Sequence, residues 1–382
     1  MNPFQPYIAP RYTRLKTREV AIGHLPLGGK NPIRIQSMVN TPTLDTEATI
    51  AQCIRLADAG CEYIRITAQG PREAEHLGVI KAELRKRGYA NPLIADIHYS
   101  PRAAEIAAAL VEKVRINPGN YTDRKRGKAH FSSREYHEET ERIRERLMPL
   151  VKICKQHGTA MRIGSNHGSL SERILSAWGD TPRGMVEAAL EFIRICEDLD
   201  YHSLVVSMKA SNPRVMVEAN RLLVQRMAEA GMLYPVHLGV TEAGAGEDGR
   251  IKSAAGIGPL LAEGIGDTLR VSLTEAPEAE IPVARQLIQM TGGYATAAPL
   301  PRLCPEILHP GDLPSPPARN GLLPDTKHPL VIGRSTLGDL HPERITSAGT
   351  EWDAAFVAEP HFESLAEDRK STRLNSSHGK LS

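Results

Sequence analysis

The chain has few aromatic residues, no long apolar run and little net charge. Phe, Trp and Tyr together supply 4% of its 382 residues, too few for the stacking platforms that hold single-stranded nucleic acids. A formal charge of +2 is too small for a nucleic-acid footprint spread over the whole molecule. No apolar stretch reaches the ~18 residues of a membrane span, and residues 1–30 have neither a signal-peptide core nor a transit-peptide composition. A cytoplasmic protein with no nucleic-acid and no membrane partner is therefore expected. The five cysteines, Cys53, Cys61, Cys154, Cys196 and Cys304, include no Cys-x-x-Cys pair, so buried free thiols are expected rather than disulfides or a metal site. With 41% hydrophobic and 24% charged residues, the composition is that of one large globular domain or two ordinary ones.

Strand-like runs begin near Ile33, Tyr63, Leu93, Val114, Ala160, Ser203, Val236 and Thr268, each followed by helical periodicity, which makes eight βα units. Asp45, Ser100-Pro101, Thr181-Pro182 and Asn212-Pro213 mark helix starts, and Gly60, Gly88, Gly158 and Gly231 stand where helices should stop. An open doubly wound sheet uses the same alternation. Ile33 to about Met290, however, spans close to the ~250 residues of a (β/α)8 TIM barrel, which is the expected fold. The fourth connection is the long one. Its charge-rich stretch, Arg134 to Leu147, reads as a solvated helix face, with a lid that lends Lys or Arg to a ligand as the alternative.

Several runs place a cation between apolar neighbours: Ile64-Arg65-Ile66, Val114-Arg115-Ile116, Met161-Arg162-Ile163 and Leu269-Arg270-Val271, with Lys209 closing Leu204 to Met208. Desolvating an unpaired guanidinium is costly, so its repetition at the ends of separate strands points to a shared anion. Chemistry in such a barrel sits at the carboxyl ends of the strands. There the sequence puts Gln36, Ser37, Arg65, Thr67, Asp96, His98, Arg115, Asn117, Arg162, Asn166, Ser207, Lys209, His237, Glu242, Arg270 and Ser272. Arg34 falls at the opposite end of its run, where an ion pair at the barrel floor is expected. Several arginine forks suit a di- or trianion better than a monocarboxylate, and a diphosphate ester is the natural guess. The glycines of Gly244-Ala245-Gly246 and Gly256-Ile257-Gly258 occupy the region where barrels often hold phosphate.

Asp96-Ile97-His98 sets a carboxylate and an imidazole on one side of a strand, a spacing open to acid–base work, to a structural pair, or to metal ligation with His237 as a third member. Glu242 is a second candidate acid, or else a carboxylate that neutralises the arginines.

The runs Ile35-Gln36-Ser37-Met38, Ala95-Asp96-Ile97-His98, Val114 to Asn120, Asn166-His167-Gly168-Ser169-Leu170 and His237 to Gly244 closely resemble the 4-hydroxy-3-methylbut-2-enyl diphosphate synthase family. The likeness runs from about Thr13 to Thr291. Gly179 to Gly184, Met208 to Pro213 and the long fourth connection resemble its three-domain form. The resemblance implies a barrel similar to that of dihydropteroate synthase and a substrate, 2-C-methyl-D-erythritol 2,4-cyclodiphosphate, of the non-mevalonate isoprenoid route. It also implies a 4Fe-4S cluster on a separate C-terminal domain, two electrons from flavodoxin or ferredoxin, and a homodimer as an option. Carried over by position, Arg65, Arg115, Arg162, Lys209, Arg270 and Ser272 would clamp the diphosphate and Asn117 and Asn166 would orient it. Asp96, His98 and Glu242 would be the hydrogen-bonding or proton-transfer groups.

The cluster of that family needs three cysteines, two of them in a Cys-x-x-Cys pair, and a carboxylate; nothing in this sequence supplies the set. The expected organisation is a lead-in over 1–30, the barrel over 31–295, a Pro-rich linker over 296–329 and the incomplete start of an inserted domain over 330–369. Residues 370–382 break composition and read as an artefactual tail. The expected function is that of the substrate-binding part of an oxidoreductase, inactive alone. The alternatives are a self-sufficient pterin-dependent or metal-assisted barrel enzyme and a non-catalytic phosphate-ligand module.

Overall fold

The computed structural model describes residues 13–121 and 131–296, and two short strands at 332–334 and 354–356. One compact unit spans Pro10–Pro299. Its strands are β1 (Arg34–Met38), β2 (Tyr63–Ala68), β3 (Leu93–Ile97), β4 (Lys113–Ile116), β5 (Ala160–Asn166), β6 (Leu204–Lys209), β7 (His237–Leu238) and β8 (Thr268–Leu269). All pair in parallel, in the order β6-β5-β4-β3-β2-β1-β8-β7. A bridge between Val206 and Val236 brings the two ends together, and the Val206 N–H donates to the Pro235 carbonyl at 2.9 Å. The sheet therefore closes into a barrel, and the open-sheet alternative, which would leave β6 and β7 as free edges, falls.

The helices are α1 (Thr46–Asp58), α2 (Pro71–Lys86), α3 (Pro101–Ala108), α4 (Pro118–Tyr121), α5 (Ser133–His157), α6 (Glu172–Trp178), α7 (Pro182–Asp198), α8 (Pro213–Glu229), α9 (Gly246–Ala262) and α10 (Glu280–Thr296). Their starts have local causes. Asp45, Ser100, Thr181 and Asn212 each accept a first-turn backbone N–H on the side chain, and proline opens three of those helices. Such a cap contributes about 1 kcal/mol. Apolar faces of the helices and the outward faces of the strands form the main core, between the two layers.

The fourth connection resolves into α4 and α5. Ser132 and Glu135 cap α5 reciprocally, and Ile143, Leu147, Leu150, Val151 and Cys154 bury one stripe at helical spacing. Arg134, Arg142 and Arg144 pair with Glu138, Glu139 and Asp198 on the outer surface. The solvated-face reading of this stretch thus holds. The lid alternative finds no contact here, since each of these three arginines is paired with a carboxylate.

Residues from Thr13 onward in the lead-in are part of the barrel. Val20 and Leu27 form an antiparallel bridge, and Val20, Ile22, Leu25 and Leu27 pack with Tyr63, Ile94, Ala160 and Val205 in a small core of their own. The Tyr63 hydroxyl donates to the Leu25 carbonyl at 2.5 Å, so this hairpin plugs the amino-terminal end of the barrel. Arg34 lies at that end, 2.6 Å from Glu62, in the floor ion pair that its position suggested.

In the second unit, β9 (Ile332–Arg334) pairs in parallel with β10 (Ala354–Phe356). β9 overlaps the strand-like Leu330-Val331-Ile332. The Pro-rich linker, Cys304, most of the inserted-domain start and the tail lie outside the described residues. Among the described residues, no helix is long and apolar enough to cross a membrane.

Candidate functional site

Strand pairing sets the site. Arg115 lies between Asp96 of β3 and Arg162 of β5, while Thr67 faces Asp96 and Met38 faces Arg65. Partners in a parallel ladder point the same way, so these side chains share the inner face of the barrel. Arg65, Arg115, Arg162 and Lys209 are buried, and the Arg270 side chain is 14% exposed. The same interior holds the buried Lys113 and, among the described residues, two buried carboxylates near the ring, Asp96 and Glu280.

Asp96 sits between cations. Arg115 Nη1 donates to its Oδ1 at 3.2 Å, Arg65 Nη2 lies 3.5 Å from Oδ2, and His98 Nε2 lies 3.4 Å from the same oxygen. Burial alone would raise the Asp96 pKa, but Arg65, Arg115 and the His98 hydrogen bond outweigh it and hold the carboxyl well below its usual range. Asp96 is therefore an ionised acceptor at neutral pH. Arg115 also donates through Nη2 to the Gly164 carbonyl at 3.0 Å and to Asn166 Oδ1 at 3.3 Å.

Glu280, at the start of α10, forks Arg270 at 3.2 and 3.1 Å and accepts the Ser37 hydroxyl at 2.6 Å. The Met38 thioether is a soft acceptor shared by Arg65 Nε at 3.1 Å and Arg270 Nη1 at 3.4 Å. Arg162 has no such anchor: it is 1% exposed, and its Nε and Nη1 meet no acceptor in the protein. Burial first, then Arg65 and Arg115, push its pKa well down. Burial, with Arg270 and Arg115 against the opposing Asp96, brings Arg65 to about 10. Guanidinium groups keep their protons even so, and the ring holds repulsion that a multiply charged anion relieves.

Two glycines make room for the cations. A Cβ on Gly239 would stand 2.9 Å from Lys209 Nζ and 2.9 Å from the Arg270 carbonyl oxygen. A Cβ on Gly164 would stand 2.9 Å from Arg115 Nε and 3.0 Å from Ser207 Oγ. Beside the ring, a cavity of about 860 Å³ opens over β1, β2 and β8, lined among others by Met38, Thr67, His98, Arg270 and Glu280.

Of the residues expected at the site, Arg65, Asp96, His98, Arg115, Arg162, Asn166, Lys209 and Arg270 share this inner face or its rim. Asn117 is engaged in its own loop, donating to Ser169 Oγ at 3.0 Å and accepting the Gly119 N–H at 3.2 Å. Ser272 is half-buried, and its carbonyl accepts the Ala243 N–H. Glu242 is exposed, with a left-handed φ of 51°, and its carbonyl accepts Lys252 Nζ; no contact brings its carboxylate to Asp96 or His98. His237 is enclosed, with both ring nitrogens free of hydrogen-bond partners among the described residues. Among the described residues no three His, Cys, Asp or Glu side chains group as metal ligands. Gly256 serves packing rather than phosphate: its Cβ would strike Val240 Cγ2 at 2.4 Å, where α9 crosses the strand layer.

Sequence reasoning missed Glu280, Met38, Gly164, Gly239 and Lys113. Only Lys113 left a signal, two residues before Arg115 and so on the same strand face.

The described cysteines do not fit an iron–sulfur cluster. Cys53, Cys61, Cys154 and Cys196 are buried free thiols on separate elements, and burial pushes each pKa up, to about 12 for Cys53 and Cys154.

Residues 17–285 match the family model described as the GcpE TIM-barrel domain. The chain is 60% identical over 279 residues to a 4-hydroxy-3-methylbut-2-en-1-yl diphosphate synthase (flavodoxin) of Parabacteroides distasonis, covering 72% of this chain and 46% of that protein. A protein of the same name from Akkermansia muciniphila is 60% identical over 280 residues, with 72% and 48% covered. One from Leptospira interrogans is 56% identical over 277 residues, with 72% and 42% covered. The chain thus spans less than half the length of these relatives. Its matched region is the barrel that carries the arginine ring, and the chain belongs to the GcpE TIM-barrel family.

Proposed function

We propose that this barrel is the substrate-holding part of a 4-hydroxy-3-methylbut-2-en-1-yl diphosphate synthase and binds 2-C-methyl-D-erythritol 2,4-cyclodiphosphate at the arginine ring. The observation that carries this is charge imbalance in a desolvated space: among the described residues, Arg65, Arg115, Arg162, Arg270 and Lys209 converge with only Asp96 and Glu280 to neutralise them. A compact ligand with several phosphate oxygens accepts from several forks at once, each such bond contributing roughly 1.5–3 kcal/mol net.

Asp96 and Glu280 hold Arg115, Arg65 and Arg270 in place before the ligand arrives, and Asn166 fixes the outer edge of Arg115. His98, on the cavity wall and against Asp96, is the group placed to hold a proton near the ligand. The cavity beside the ring accommodates the carbon skeleton. Reduction requires electrons, and the relatives' names give flavodoxin as the donor. An iron–sulfur centre would supply one-electron chemistry, and the described cysteines of this chain do not group to hold one.

Calorimetric titration of the chain with inorganic diphosphate and with the cyclodiphosphate tests this reading. Binding is expected for both, and Arg115→Ala or Arg270→Ala weakens it at least tenfold, since each removes a fork from a dry polyanion site. Unchanged affinity in both variants rejects the clamp.

A further inference from the structure

Below the arginine ring lies a second polar layer that diphosphate binding does not use. Lys113 and His237 are both 0% exposed, and Gln36 and Thr268 are buried beside them. Lys113 Nζ, both His237 nitrogens, both Gln36 amide atoms and Thr268 Oγ1 have no hydrogen-bond partner among the described residues. Their register puts them on the inner face: Lys113 opposite Ile94 and Ala160, His237 opposite Thr268, and Gln36 opposite Tyr63. Native interiors seldom leave polar atoms enclosed without partners, and a cluster of them marks a place with work to do.

The charged and titratable groups facing this layer are Arg34 on β1 with its partner Glu62, Tyr63 and Arg65 on β2, Asp96 on β3, Arg162 on β5, Lys209 on β6, and Asp267 and Arg270 on either side of β8. The carboxylates among them are engaged elsewhere: Asp96 by Arg65, Arg115 and His98, Glu62 by Arg34, and Asp267 by Arg14 and the Val236 N–H. No acid therefore fixes a proton on Lys113 or His237, and the potential of the ring above decides their charge. Yet a seat for a cation exists: Lys113 Nζ stands 4.7 Å from the centroid of the Tyr63 ring.

We propose that Lys113, with His237 beside it, is a proton-binding site linked to the anion site above, so that an anion entering the arginine ring draws a proton from solvent onto this pair. The step is R–NH2 + H+ → R–NH3+, or imidazole to imidazolium, with water as the proton source and the proton returned when the anion leaves. With the ring empty, burial and the charges of Arg162 and Arg65 hold Lys113 well below the usual ammonium range, and burial with Lys209 and Arg162 does the same to His237. An anion cancels those charges. Linkage then makes binding tighter as pH falls, by up to about tenfold per pH unit for each proton taken up.

This inference rests on the ring being the anion site, and the test separates the two. The full chain is titrated calorimetrically with inorganic diphosphate between pH 7 and 9, in buffers of different ionisation heat. Diphosphate itself gains charge as pH rises, so an unlinked site binds more tightly and releases protons. The linked site is expected to take up protons and to weaken with rising pH. Lys113→Met, a straight apolar chain replacing a buried amine, is expected to bind diphosphate with the uptake lost. Lys209→Met, which removes the other buried lysine, is expected to keep the uptake, and this arm decides the matter should Lys113→Met not fold. Binding without uptake, uptake lost in Lys209→Met, or uptake unchanged in both Lys113→Met and His237→Gln overturns the linkage and leaves the clamp standing. Absence of diphosphate binding overturns both.

Discussion

A single methyl group at Gly239 should disable the anion site without touching any charged residue. In Gly239→Ala the new Cβ would lie 2.9 Å from Lys209 Nζ, 3.2 Å from its Cε and 2.9 Å from the Arg270 carbonyl oxygen. Contacts this short force something to move. Arg270 belongs to the barrel ladder, its N–H donating to the Leu238 carbonyl at 3.0 Å, so the flexible lysine gives way. Overpacking of this kind costs about 1–3 kcal/mol of stability, the smaller figure applying because a side-chain tip absorbs most of it. Losing the lysine as a charge-assisted donor costs roughly 1.5–3 kcal/mol of binding, or about 10- to 150-fold in Kd. Thermal unfolding and calorimetry with inorganic diphosphate measure the two effects separately. Combining Gly239→Ala with Lys209→Ala should add little to either single change, because both act through one ammonium group. A folded Gly239→Ala protein with wild-type affinity would refute the reasoning, as would fully additive losses in the double variant.

Gly256→Ala provides the contrast: its Cβ meets Val240 Cγ2 at 2.4 Å, so stability should fall by about 1–3 kcal/mol while diphosphate affinity in the folded protein stays unchanged. Glu191→Ala strands the buried Arg173, whose Nη2 lies 2.7 Å from Glu191, and should cost about 3–5 kcal/mol in denaturant melts. His237 has its folded pKa well below the unfolded value, so below about pH 6.5 the unfolded chain binds a proton that the native state refuses. Stability should drop there by up to about 1.4 kcal/mol per pH unit, and His237→Gln should flatten that limb in melts taken from pH 7 to 5. Asp96 is also depressed, so its contribution is complete above about pH 5 and lost as pH falls through its folded pKa; Asp96→Asn should remove this more acidic limb.

The barrel was legible in the chain because its signals are local. Buried strands appear as apolar runs and helices as periodic stripes, and Asp45, Ser100, Thr181 and Asn212 announce helix starts by chemistry that acts within three residues. A cation inside such a run is equally plain, since no local environment there can solvate it. Arg65, Arg115, Arg162, Lys209 and Arg270 could therefore be assigned to one interior, and Arg34 set apart from them by its place at the strand start. The stretch in α5 was harder to read, because arginine-rich residues look the same on a lid and on a solvated face until Glu138, Glu139 and Asp198 are seen to pair with them.

What the sequence by itself determined, then, is that eight βα units carry cations at strand ends, a pattern that points to a shared anion. Only the tertiary structure decided how the cations are held. Glu280 reaches Arg270 and Ser37 because barrel closure sets α10 beside β1 and β8. Gly164 and Gly239 matter because neighbouring strands aim Arg115 and Lys209 across them. Lys113 and His237 both come to face the barrel interior because parallel register sets one beside Ile94 and Ala160 and the other beside Thr268. Such contacts depend on distances that sequence spacing does not encode, and they make a row of buried charges into one site.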